Sequence, residues 1–478
     1  MNHPTAAPKR GAAGAEKVAV IGFMGAGKST AVRSLAGGGA DVDRTIEQRS
    51  GRRVPEIFAQ DGEGAFRELE ERVTLELLAD PGIRAVALGA GALRSQPIRR
   101  ALSGVCVVWL DVELDLAWER VGSGRNLARP LARDRRQFER LYHERRPLYE
   151  ELADTVVPAT RAPELVRVLN ALDGLGPKRA RVLWATAQSG DYPVYIGPGL
   201  IGKLGFWPSA VGGRRVVISD HNVEAHYGDA FQPRLARIAI TPGERSKSLA
   251  QAERIWTEMV AHGVTRGDVV VALGGGVVGD LAGFCGAAYQ RGMRVVQVPT
   301  SLVAQVDSAY GGKTGVDLPA AKNYVGAFHQ PAAVITDTDT LRTLPREELA
   351  AGYAEVVKTG LLAGGALWEL VRGGAAPSDP RVIAGCVLTK LRIVAADERD
   401  AGRRQLLNLG HTVGHALETV TAYSRYRHGE AVALGLLVAL ALSGAAALRS
   451  EVAGLLAAGG LPTVLDEDVD IDQVIEAT

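Results

Sequence analysis

The sequence has few cysteines and almost no net charge. Only 3 of its 478 residues are cysteine, and their wide spacing excludes a zinc ribbon or a disulfide framework and favours a reducing cytoplasm. Its 55 basic and 54 acidic side chains leave a formal net charge of +1, which argues against a dedicated nucleic-acid surface. Basic pockets for small phosphorylated ligands remain compatible with this balance. At this length we expect two to four domains.

A membrane-spanning run is also missing. The most apolar stretch, Ala431 to Leu448, is rich in alanine and glycine and falls short of the roughly 20 residues that a span needs. It follows the polar run Tyr426 to Glu430, so we predict a buried core helix there. Residues 1–16 are small and polar without an apolar core, which predicts a disordered tail and not a signal peptide.

Short β-rich runs alternate with helical runs along most of the chain, which is typical of parallel α/β domains. Residues 173–180 are rich in turn formers and are predicted to be a linker between two such regions. The first region covers residues 17–172 and the second residues 181–345. From residue 346 to residue 478 the pattern is mostly helical. The predicted strands are 18–22, 85–88, 105–110, 216–219 and 269–273, and the predicted helices of the first region are 28–35, 139–152 and 164–172.

The run Gly22-Phe23-Met24-Gly25-Ala26-Gly27-Lys28-Ser29 fits a P-loop, because it follows a predicted strand and precedes a predicted helix. Backbone N–H groups of such a loop surround phosphate oxygens, the lysine neutralises the outer phosphates and the serine hydroxyl reaches Mg²⁺. We therefore predict that this part of the chain binds a nucleotide. A P-loop does not by itself identify the phosphate acceptor.

Further motifs follow the P-loop. Taken singly they have structural interpretations, such as turn residues for Asp41 and Asp43 or a solvated helical pair for Arg67 and Glu70. Together and in this order, over about residues 17–172, they resemble shikimate kinase. The motifs are Asp41-Val42-Asp43, Phe58, Phe66-Arg67-Glu68-Leu69-Glu70, Gly89-Ala90-Gly91, Arg129-Pro130-Leu131 and Arg145-Arg146-Pro147-Leu148-Tyr149.

The resemblance implies a role for each of these residues. ATP would bind at Gly25, Ala26, Gly27, Lys28, Ser29, Thr30 and the lid residue Arg129, with Mg²⁺ held by Ser29 and Asp41. Shikimate would bind at Asp43, Arg67, Gly89, Ala90, Gly91 and Arg145. Asp43 would accept the proton of the attacking hydroxyl, Arg67 and Arg145 would bind the carboxylate bidentately, and Arg129 would offset charge during transfer.

Two features depart from that family. Ala90 stands where the family has glycine, so the substrate site requires a negative φ at this position. The segment between Lys28 and Asp41 is also a few residues short, with glycines in place of an apolar strand.

The second half carries a histidine-rich constellation. Three of the nine histidines lie at positions 411, 415 and 428, and His411 and His415 are spaced to share one helix face. Two of these histidines, together with Glu355 from another predicted helix, could form a His/His/carboxylate set of metal ligands. Such a set leaves one coordination position open, as in catalytic zinc sites. Histidines four apart are also common as plain core or surface residues, and the spacing alone leaves both interpretations open.

Several glycine- and lysine-containing motifs surround this constellation, and from about Arg181 to Leu461 they resemble 3-dehydroquinate synthase. They include Gly274-Gly275-Gly276, Pro299-Thr300-Ser301-Leu302, Gly311-Gly312-Lys313-Thr314, Lys322-Asn323, Ala354-Glu355-Val356-Val357-Lys358, Asn408-Leu409-Gly410-His411 and His428-Gly429-Glu430.

This second resemblance implies three sets of site residues. The metal ligands, for Zn²⁺ or Co²⁺, would be Glu355, His411 and His428, with His415 in proton transfer together with Lys313 and Asp400. NAD would bind at Asp220, Asn222, Glu244, Lys247, Gly275, Gly276, Asp280, Thr300, Ser301, Lys322 and Thr343. The phosphorylated heptulosonate would bind at Arg291, Asp307, Lys313, Asn323, Lys358, Lys390, Arg404 and Asn408.

The implied reaction is an oxidation of a metal-bound hydroxyl by NAD, phosphate elimination, return of the hydride and ring closure. Three features depart from the family. Asp400 stands in place of glutamate, Asp317 stands where asparagine is usual, and the chain ends at Thr478, before the family's Asp-Lys-Lys segment. Either the chain is truncated or its cyclase half works without the lysine of that segment, and we expect truncation with impaired cyclase activity.

The sequence therefore predicts a bifunctional cytoplasmic enzyme of the shikimate pathway that makes aromatic amino acid precursors. Its fold class is α/β: a P-loop kinase with a parallel sheet and helices on both faces, then an α/β NAD-binding part and an all-α metal-binding part. By family analogy we expect a homodimer formed through the C-terminal half. Two alternatives remain, a related sugar-phosphate cyclase of secondary metabolism and a non-enzymatic scaffold. The fused kinase argues against the first, and the intact metal and P-loop residues against the second.

Overall fold

The computed structural model of the protein describes residues 17–35, 38–122, 134–175, 180–202, 205–319 and 321–478. The predicted tail, Arg129 and residues 176–179 of the predicted linker lie outside these ranges. The chain divides into two compact units, residues 1–169 and 170–478. The finer boundaries at 172, 180 and 345 stay predictions.

The first unit is built on a parallel sheet of five strands in the order β2-β3-β1-β4-β5. Its central strands are short runs of buried apolar residues, as expected for strands covered on both faces. The strands are β1 (Val18–Ile21), β2 (Gly39–Asp41), β3 (Ala85–Ala87), β4 (Cys106–Asp111) and β5 (Thr155–Pro158). The helices are α1 (Lys28–Arg33), α2 (Val42–Ser50), α3 (Val54–Ala79), α4 (Gln96–Ala101), α5 (Leu114–Gly122), α6 (Arg135–Leu152) and α7 (Leu165–Ala171), the last of which contains the boundary between the units.

The second unit begins with a seven-stranded sheet in the order β6-β7-β14-β11-β10-β8-β9, in which only the β6–β7 pair is antiparallel. A separate antiparallel hairpin, β12–β13, accompanies it. The strands are β6 (Arg181–Ala185), β7 (Tyr192–Gly197), β8 (Arg215–Asp220), β9 (Ala236–Ile240), β10 (Val269–Gly274), β11 (Arg294–Pro299), β12 (Lys313–Leu318), β13 (Ala321–Phe328) and β14 (Ala333–Asp337). The helices of this α/β part are α8 (His221–Tyr227), α9 (Leu249–Ala261) and α10 (Gly276–Ala288).

The remainder of the second unit is helical among the described residues. Its helices are α11 (Arg346–Ala363), α12 (Gly365–Arg372), α13 (Pro380–Ala396), α14 (His411–Val420), α15 (His428–Leu442), α16 (Ala446–Ala458) and α17 (Ile471–Glu476). The α/β class, with a parallel sheet in each unit and a helical end to the second, agrees with the prediction.

The long apolar stretch forms a core helix as predicted, but with different bounds. Helix α15 starts at His428 and ends at Leu442, and a turn with Gly444 in the left-handed region separates it from α16. The predicted single helix to Leu448 is therefore wrong, because this turn reverses the chain before the apolar run ends. Within the described ranges, no helix combines the length and apolar character needed to cross a membrane.

Candidate active sites

The P-loop of the first unit lies between the end of β1 and the start of α1. Gly27 caps α1 with a φ of 89°, in the left-handed region that favours glycine. The Lys28 ammonium donates to the carbonyl oxygens of Gly22, at 2.8 Å, and Phe23, at 3.2 Å. Its positive charge therefore lies at the loop, where the outer phosphates of a nucleotide would bind.

The glycine-containing loop after β3 is in close contact with acidic and basic side chains. A Cβ added at Gly89 would lie 1.9 Å from Oε1 of Glu70 and 3.4 Å from Oδ1 of Asp43. One added at Gly91 would lie 2.5 Å from Nη1 of Arg67. The fold thus brings together three motifs that are far apart in sequence, and the backbone of this loop lies against the polar side chains of Asp43, Arg67 and Glu70.

Arg67 and Glu70 form an ion pair in which the carboxylate is buried and the guanidinium is partly exposed. Their Nη1 and Oε2 atoms are 2.6 Å apart, and Glu70 is only 2% exposed, so the interpretation as a solvated helical pair is wrong. Burial raises the pKa of Glu70, although Arg67 opposes this shift. Glu70 holds the guanidinium over the rings of Phe66 and Phe58, at 5.4 Å and 5.9 Å from their centroids. The orientation of Arg67 is therefore defined by packing as well as by charge.

Arg145 on α6 is buried beside the same loop. Its Nη1 donates to the Ala90 carbonyl oxygen at 3.2 Å, and the Tyr149 hydroxyl donates to the same oxygen at 2.8 Å. Within the described residues its Nε has no hydrogen-bond partner, which suits an arginine that binds an anionic ligand. Ala90 does not have a positive φ, so alanine fits the backbone at this position.

Asp41 is the last residue of β2 and caps α2, accepting from the Arg44 N–H at 3.2 Å. Ser29 is the second residue of α1. Their shared role toward Mg²⁺ stays a prediction, as does that of Arg129, which is not among the described residues.

In the second unit the predicted NAD residues follow neighbouring parallel strands. Leu273 in β10 pairs with Ser219 in β8, and Gly274 pairs with Pro299 in β11. The carboxyl ends of these strands therefore meet at one sheet edge, where α/β proteins bind nucleotides. Asp220, Gly275, Gly276, Thr300 and Ser301 all lie at this edge.

Helix α10 starts at the glycine turn. A Cβ at Gly275 would lie 3.3 Å from the Ser301 hydroxyl oxygen, and one at Gly276 would lie 3.2 Å from that of Ser308. Glycine at these two positions keeps the space beside the serine hydroxyls free of side-chain atoms. The N–H groups of the turn and the positive end of the helix dipole are the groups that would bind a pyrophosphate. On the neighbouring strand β8, Asp220 caps α8, which contains Asn222. The Tyr227 hydroxyl of α8 lies 3.3 Å from that of Thr343.

Lys247 is the centre of a polar cluster beside α10. Its Nζ lies 2.7 Å from Oδ2 of Asp280 and 3.9 Å from Oε1 of Glu244, and it donates to Oδ1 of Asn323. Burial alone lowers the pKa of this lysine, but the neighbouring carboxylates outweigh it and raise the pKa. Lys322 lies 4.0 Å from Glu244. The fold thus gathers five residues from the loop after β9, from α10 and from the β13 strand.

Three side chains from three helices converge in the helical part. Glu355 lies in the middle of α11, and His411 and His428 are the first residues of α14 and α15. Oε1 of Glu355 lies 3.5 Å from Nε2 of each histidine, and the three ligand atoms lie within 4.8 Å of one another. This donor set and spacing fit a divalent zinc-type cation with a position left open for substrate.

Two of these three side chains have the charge state that a cation needs, whereas the Glu355 and Glu418 carboxylates outweigh burial and raise the pKa of His428 to about 10, so a cation would have to displace a proton from this ring. Burial raises the pKa of a carboxyl, but Lys358 and the two histidines outweigh it and hold the pKa of Glu355 well below its usual range. Burial lowers the pKa of His411 to about 4, so this imidazole is neutral at pH 7 and has a lone pair available.

His415 is not a member of this ligand group. Its side chain is exposed, and its ring centroid lies 5.4 Å from that of His411 and 5.9 Å from that of His428. The set predicted from spacing alone, which paired His411 with His415, is therefore not the one that meets Glu355. Among the described residues a second acidic and histidine group is His415, Glu418 and His428.

Buried cations lie beside the metal group. Lys358 on α11 pairs with Glu355, and both side chains are 1% exposed. Lys390 on α13 lies 2.8 Å from Oδ1 of Asp307 and donates to its backbone carbonyl at 2.7 Å. Arg404 is 2% exposed. Buried positive groups are costly to desolvate and suit a doubly anionic substrate.

Lys313, at the start of β12, forms an ion pair with Asp400, which has a φ of 62°. Asp400 Oδ1 is buried and has no hydrogen-bond partner among the described residues. Asn408 ends the short helix that leads into His411. Arg291 is exposed and precedes β11, at the opposite end of that strand from Thr300, so the structure does not bring it to this site. Its role stays a prediction.

Glu418 also lies at this site, although none of the motifs in the sequence analysis included it. This buried residue of α14 lies three positions after His415 and seven after His411, on the same helix face, and its Oε2 is 3.3 Å from Nδ1 of His428. The helical spacing was a signal that could have identified it.

Comparisons with known proteins identify the families of both regions. The family model described as shikimate kinase matches residues 24–173. The models of the N-terminal and C-terminal parts of 3-dehydroquinate synthase match residues 237–351 and 352–478.

Individual relatives point the same way for the second unit. The 3-dehydroquinate synthase of Symbiobacterium thermophilum is 45% identical over 304 residues, which are 58% of this chain and 84% of that protein. The enzyme of Caulobacter vibrioides is 45% identical over 299 residues, covering 57% of this chain and 80% of that protein. A solved 2-epi-5-epi-valiolone synthase from Streptomyces hygroscopicus subsp. jinggangensis, with NAD⁺ and Zn²⁺ bound, is 26% identical with a TM-score of 0.55, over 61% of this chain and 87% of that chain.

The geometry of the helical site and these matches lead to one conclusion: the chain belongs to the 3-dehydroquinate synthase family and carries a shikimate kinase domain in its N-terminal part.

Proposed function

We propose that this chain catalyses two reactions of the shikimate pathway. The first unit transfers phosphate from ATP to shikimate and forms shikimate 3-phosphate. The second unit eliminates phosphate from 3-deoxy-D-arabino-heptulosonate 7-phosphate and closes the product to 3-dehydroquinate, with NAD and a divalent metal as cofactors.

One observation carries the cyclase assignment: Glu355, His411 and His428 converge beside the buried cations Lys358 and Lys390. A metal site alone serves many enzymes, but a metal site lined by buried lysines suits a substrate with a carboxylate and a phosphate. The glycine turn at the start of α10 supplies a dinucleotide site in the same unit. A solved relative holds NAD⁺ and Zn²⁺ together, which supports the same cofactor pair here.

When bound, the metal and NAD supply the reversible oxidation of a substrate hydroxyl. The protein's own groups orient the substrate for this chemistry. Lys390 and Arg404 would bind its anionic groups, and Asp307 holds Lys390 in place at 2.8 Å. His415 is exposed beside the ligand histidines, so it can exchange protons with solvent. Asp400 can accept a proton from Lys313 across their ion pair.

In the kinase unit, the side chains around the 89–91 loop would bind shikimate. Arg67, fixed by Glu70, and Arg145, with its unpartnered Nε, would hold the carboxylate. Asp43 lies against Gly89 and would accept the proton of the attacking hydroxyl. Lys28 would neutralise the transferred phosphate.

The related sugar-phosphate cyclase of secondary metabolism is not favoured. Identity is 45% with the 3-dehydroquinate synthase of Symbiobacterium thermophilum but 26% with the valiolone synthase. The shikimate kinase domain in the same chain also gives the two reactions a common pathway.

Two single variants test the proposal, because each unit carries its own site. Lys28→Ala should abolish shikimate-dependent ADP release and leave cyclisation at the wild-type rate. His411→Ala should abolish cyclisation and leave the kinase rate unchanged. Shikimate-dependent ADP release that persists in Lys28→Ala would refute the kinase assignment, and cyclisation that persists in His411→Ala would refute the metal site.

A chelator provides an independent control. It should stop both reactions, and Mg²⁺ alone should restore only the kinase, since the His/His/Glu set favours zinc-type ions over Mg²⁺. Cyclisation rescued equally well by Mg²⁺ would contradict the assignment of a zinc-type site.

We also propose a homodimer formed through the C-terminal half and a cytoplasmic location. The cytoplasmic location is supported by the three cysteines, which are all free thiols. Sedimentation of the purified chain measures its oligomeric state, and a monomer at micromolar concentration would refute the homodimer.

A further inference from the structure

The two ring nitrogens of His428 face different carboxylates. Nε2 lies 3.5 Å from Oε1 of Glu355, and Nδ1 lies 3.3 Å from Oε2 of Glu418. A neutral imidazole carries one proton, and the nitrogen without it has the lone pair that binds a metal. A carboxylate at hydrogen-bond distance from Nδ1 stabilises the tautomer with its proton there and leaves Nε2 free on the side of Glu355.

Glu418 is built into the structure as a buried acceptor. It is 5% exposed, so its carboxylate is largely withdrawn from solvent. Lys322 lies 4.0 Å from its other oxygen. The two oxygens of Glu418 therefore face a lysine and a histidine nitrogen, both of which can donate hydrogen bonds.

The other histidine of the group is held in the same way. Nδ1 of His411 lies 3.3 Å from the backbone carbonyl oxygen of Leu409. Gly410, with a φ of 79°, makes the turn that places this carbonyl beside the first residue of α14. Both histidines therefore have an acceptor at Nδ1 and point Nε2 at Glu355. One acceptor is backbone, and the other is the side chain of Glu418.

We propose that Glu418 is a positioning residue for the cation of this site: it accepts the Nδ1 proton of His428 and so presents Nε2 as a metal ligand. The inference rests on the proposed metal site. Carboxylates behind metal-binding histidines fix the ring and raise its basicity, and their loss costs about 10- to 100-fold in metal affinity.

A second cation held by His415, Glu418 and His428 is the competing interpretation. It requires Nδ1 of His428 to bind a metal, so this nitrogen could not donate to Glu418. His415 is exposed, whereas Glu355 and His411 are buried. The observations therefore favour one cation with Glu418 behind it.

The test measures Zn²⁺ affinity and stoichiometry by competition with a chromogenic chelator in the full chain, and the visible spectrum of the Co²⁺-substituted protein. The variants are Glu418→Leu, which removes the acceptor, and Glu418→Gln, which keeps an amide oxygen at the same place. Glu398→Gln is the matched control, because Glu398 is equally buried but bonds to Ser189 and Gln330 instead of a histidine.

We expect one ion per wild-type chain. Glu418→Leu should bind Zn²⁺ about 10- to 100-fold more weakly and change the Co²⁺ absorption, and Glu418→Gln should lose about tenfold or less. Glu398→Gln should match the wild type in both measurements. A purely structural role for Glu418 would lower thermal stability without changing the Co²⁺ spectrum.

Three outcomes would overturn the inference. Wild-type affinity and an unchanged Co²⁺ spectrum in a folded Glu418→Leu variant would do so, and if that variant does not fold, the same result in Glu418→Ala, which also removes the acceptor, decides. Two ions in the wild type and one in the Glu418 variants would replace it with the second-cation interpretation. Failure of the wild type to bind any ion, or full binding by His411→Ala, would instead overturn the proposed metal site itself.

Discussion

A methyl group added at Gly89 would collide with a carboxylate that orients the shikimate-binding residues of the kinase unit. The new Cβ would lie 1.9 Å from Oε1 of Glu70, far inside ordinary van der Waals contact. Glu70 is buried and its other oxygen, Oε2, is bonded to Arg67 at 2.6 Å, so the carboxylate cannot turn aside without disturbing that pair. Gly89→Ala should therefore displace Arg67 as well.

The magnitude follows from the two interactions affected. Overpacking a buried site costs about 1–3 kcal/mol, and losing a hydrogen bond between charged groups costs about 1.5–3 kcal/mol. We expect the unit to lose about 2.5–6 kcal/mol of stability. A misplaced Arg67 should weaken shikimate binding about 10- to 100-fold. The P-loop is a separate segment, so ATP binding should not change.

Calorimetric titration of shikimate and of ATP, at a temperature where the variant is folded, measures both effects. Gly64→Ala is the matched control, because Gly64 is on the same helix as Glu70 and a Cβ there meets nothing within 4 Å. It should leave shikimate affinity unchanged and gain up to about 1 kcal/mol of stability. Shikimate affinity within twofold of wild type in Gly89→Ala would refute this reasoning.

Three further predictions concern single positions. Ala90→Gly should leave the KM for shikimate within about twofold of the wild-type value, because φ at this position is not positive and glycine is not required. A larger fall in KM would contradict that backbone conformation. Lys358→Met leaves the buried Glu355 without its ammonium partner, and it should lower the free energy of unfolding of the chelated protein by about 3–5 kcal/mol in denaturant titrations. An unchanged free energy of unfolding would contradict a buried ion pair at this position. Hydrogen bonds from Arg214 and from the Thr265 N–H and hydroxyl lower the pKa of Asp268 to about 2, below its value in the unfolded chain. Ionised Asp268 should therefore contribute about 1–2 kcal/mol to the free energy of unfolding above pH 4, and this contribution should be lost as the pH falls toward 2. The free energy of unfolding of Asp268→Asn should fall less than that of the wild type between pH 4 and pH 2. An equal fall in both proteins would contradict this assignment.

Local patterns in the amino-acid sequence were enough to predict the type of each site and several of the elements that carry it. A P-loop between a strand and a helix, and a glycine turn after a buried strand, are local patterns whose function depends on backbone geometry over a few residues. The strands at 18–22 and 269–273 were therefore predicted to within one residue of the observed β1 and β10. The α/β class followed from the alternation of such elements.

Which side chains meet depends on the folded chain. Spacing along α14 favoured His411 with His415, whereas the family resemblance implied Glu355, His411 and His428. The fold brings the latter three together, because His428 begins a separate helix, and leaves His415 exposed. The burial of Glu70 and Glu418 was likewise invisible, because burial depends on what other helices place around a residue. Contacts between residues distant in sequence require the packed fold, and it is those contacts that turn a list of polar side chains into a site.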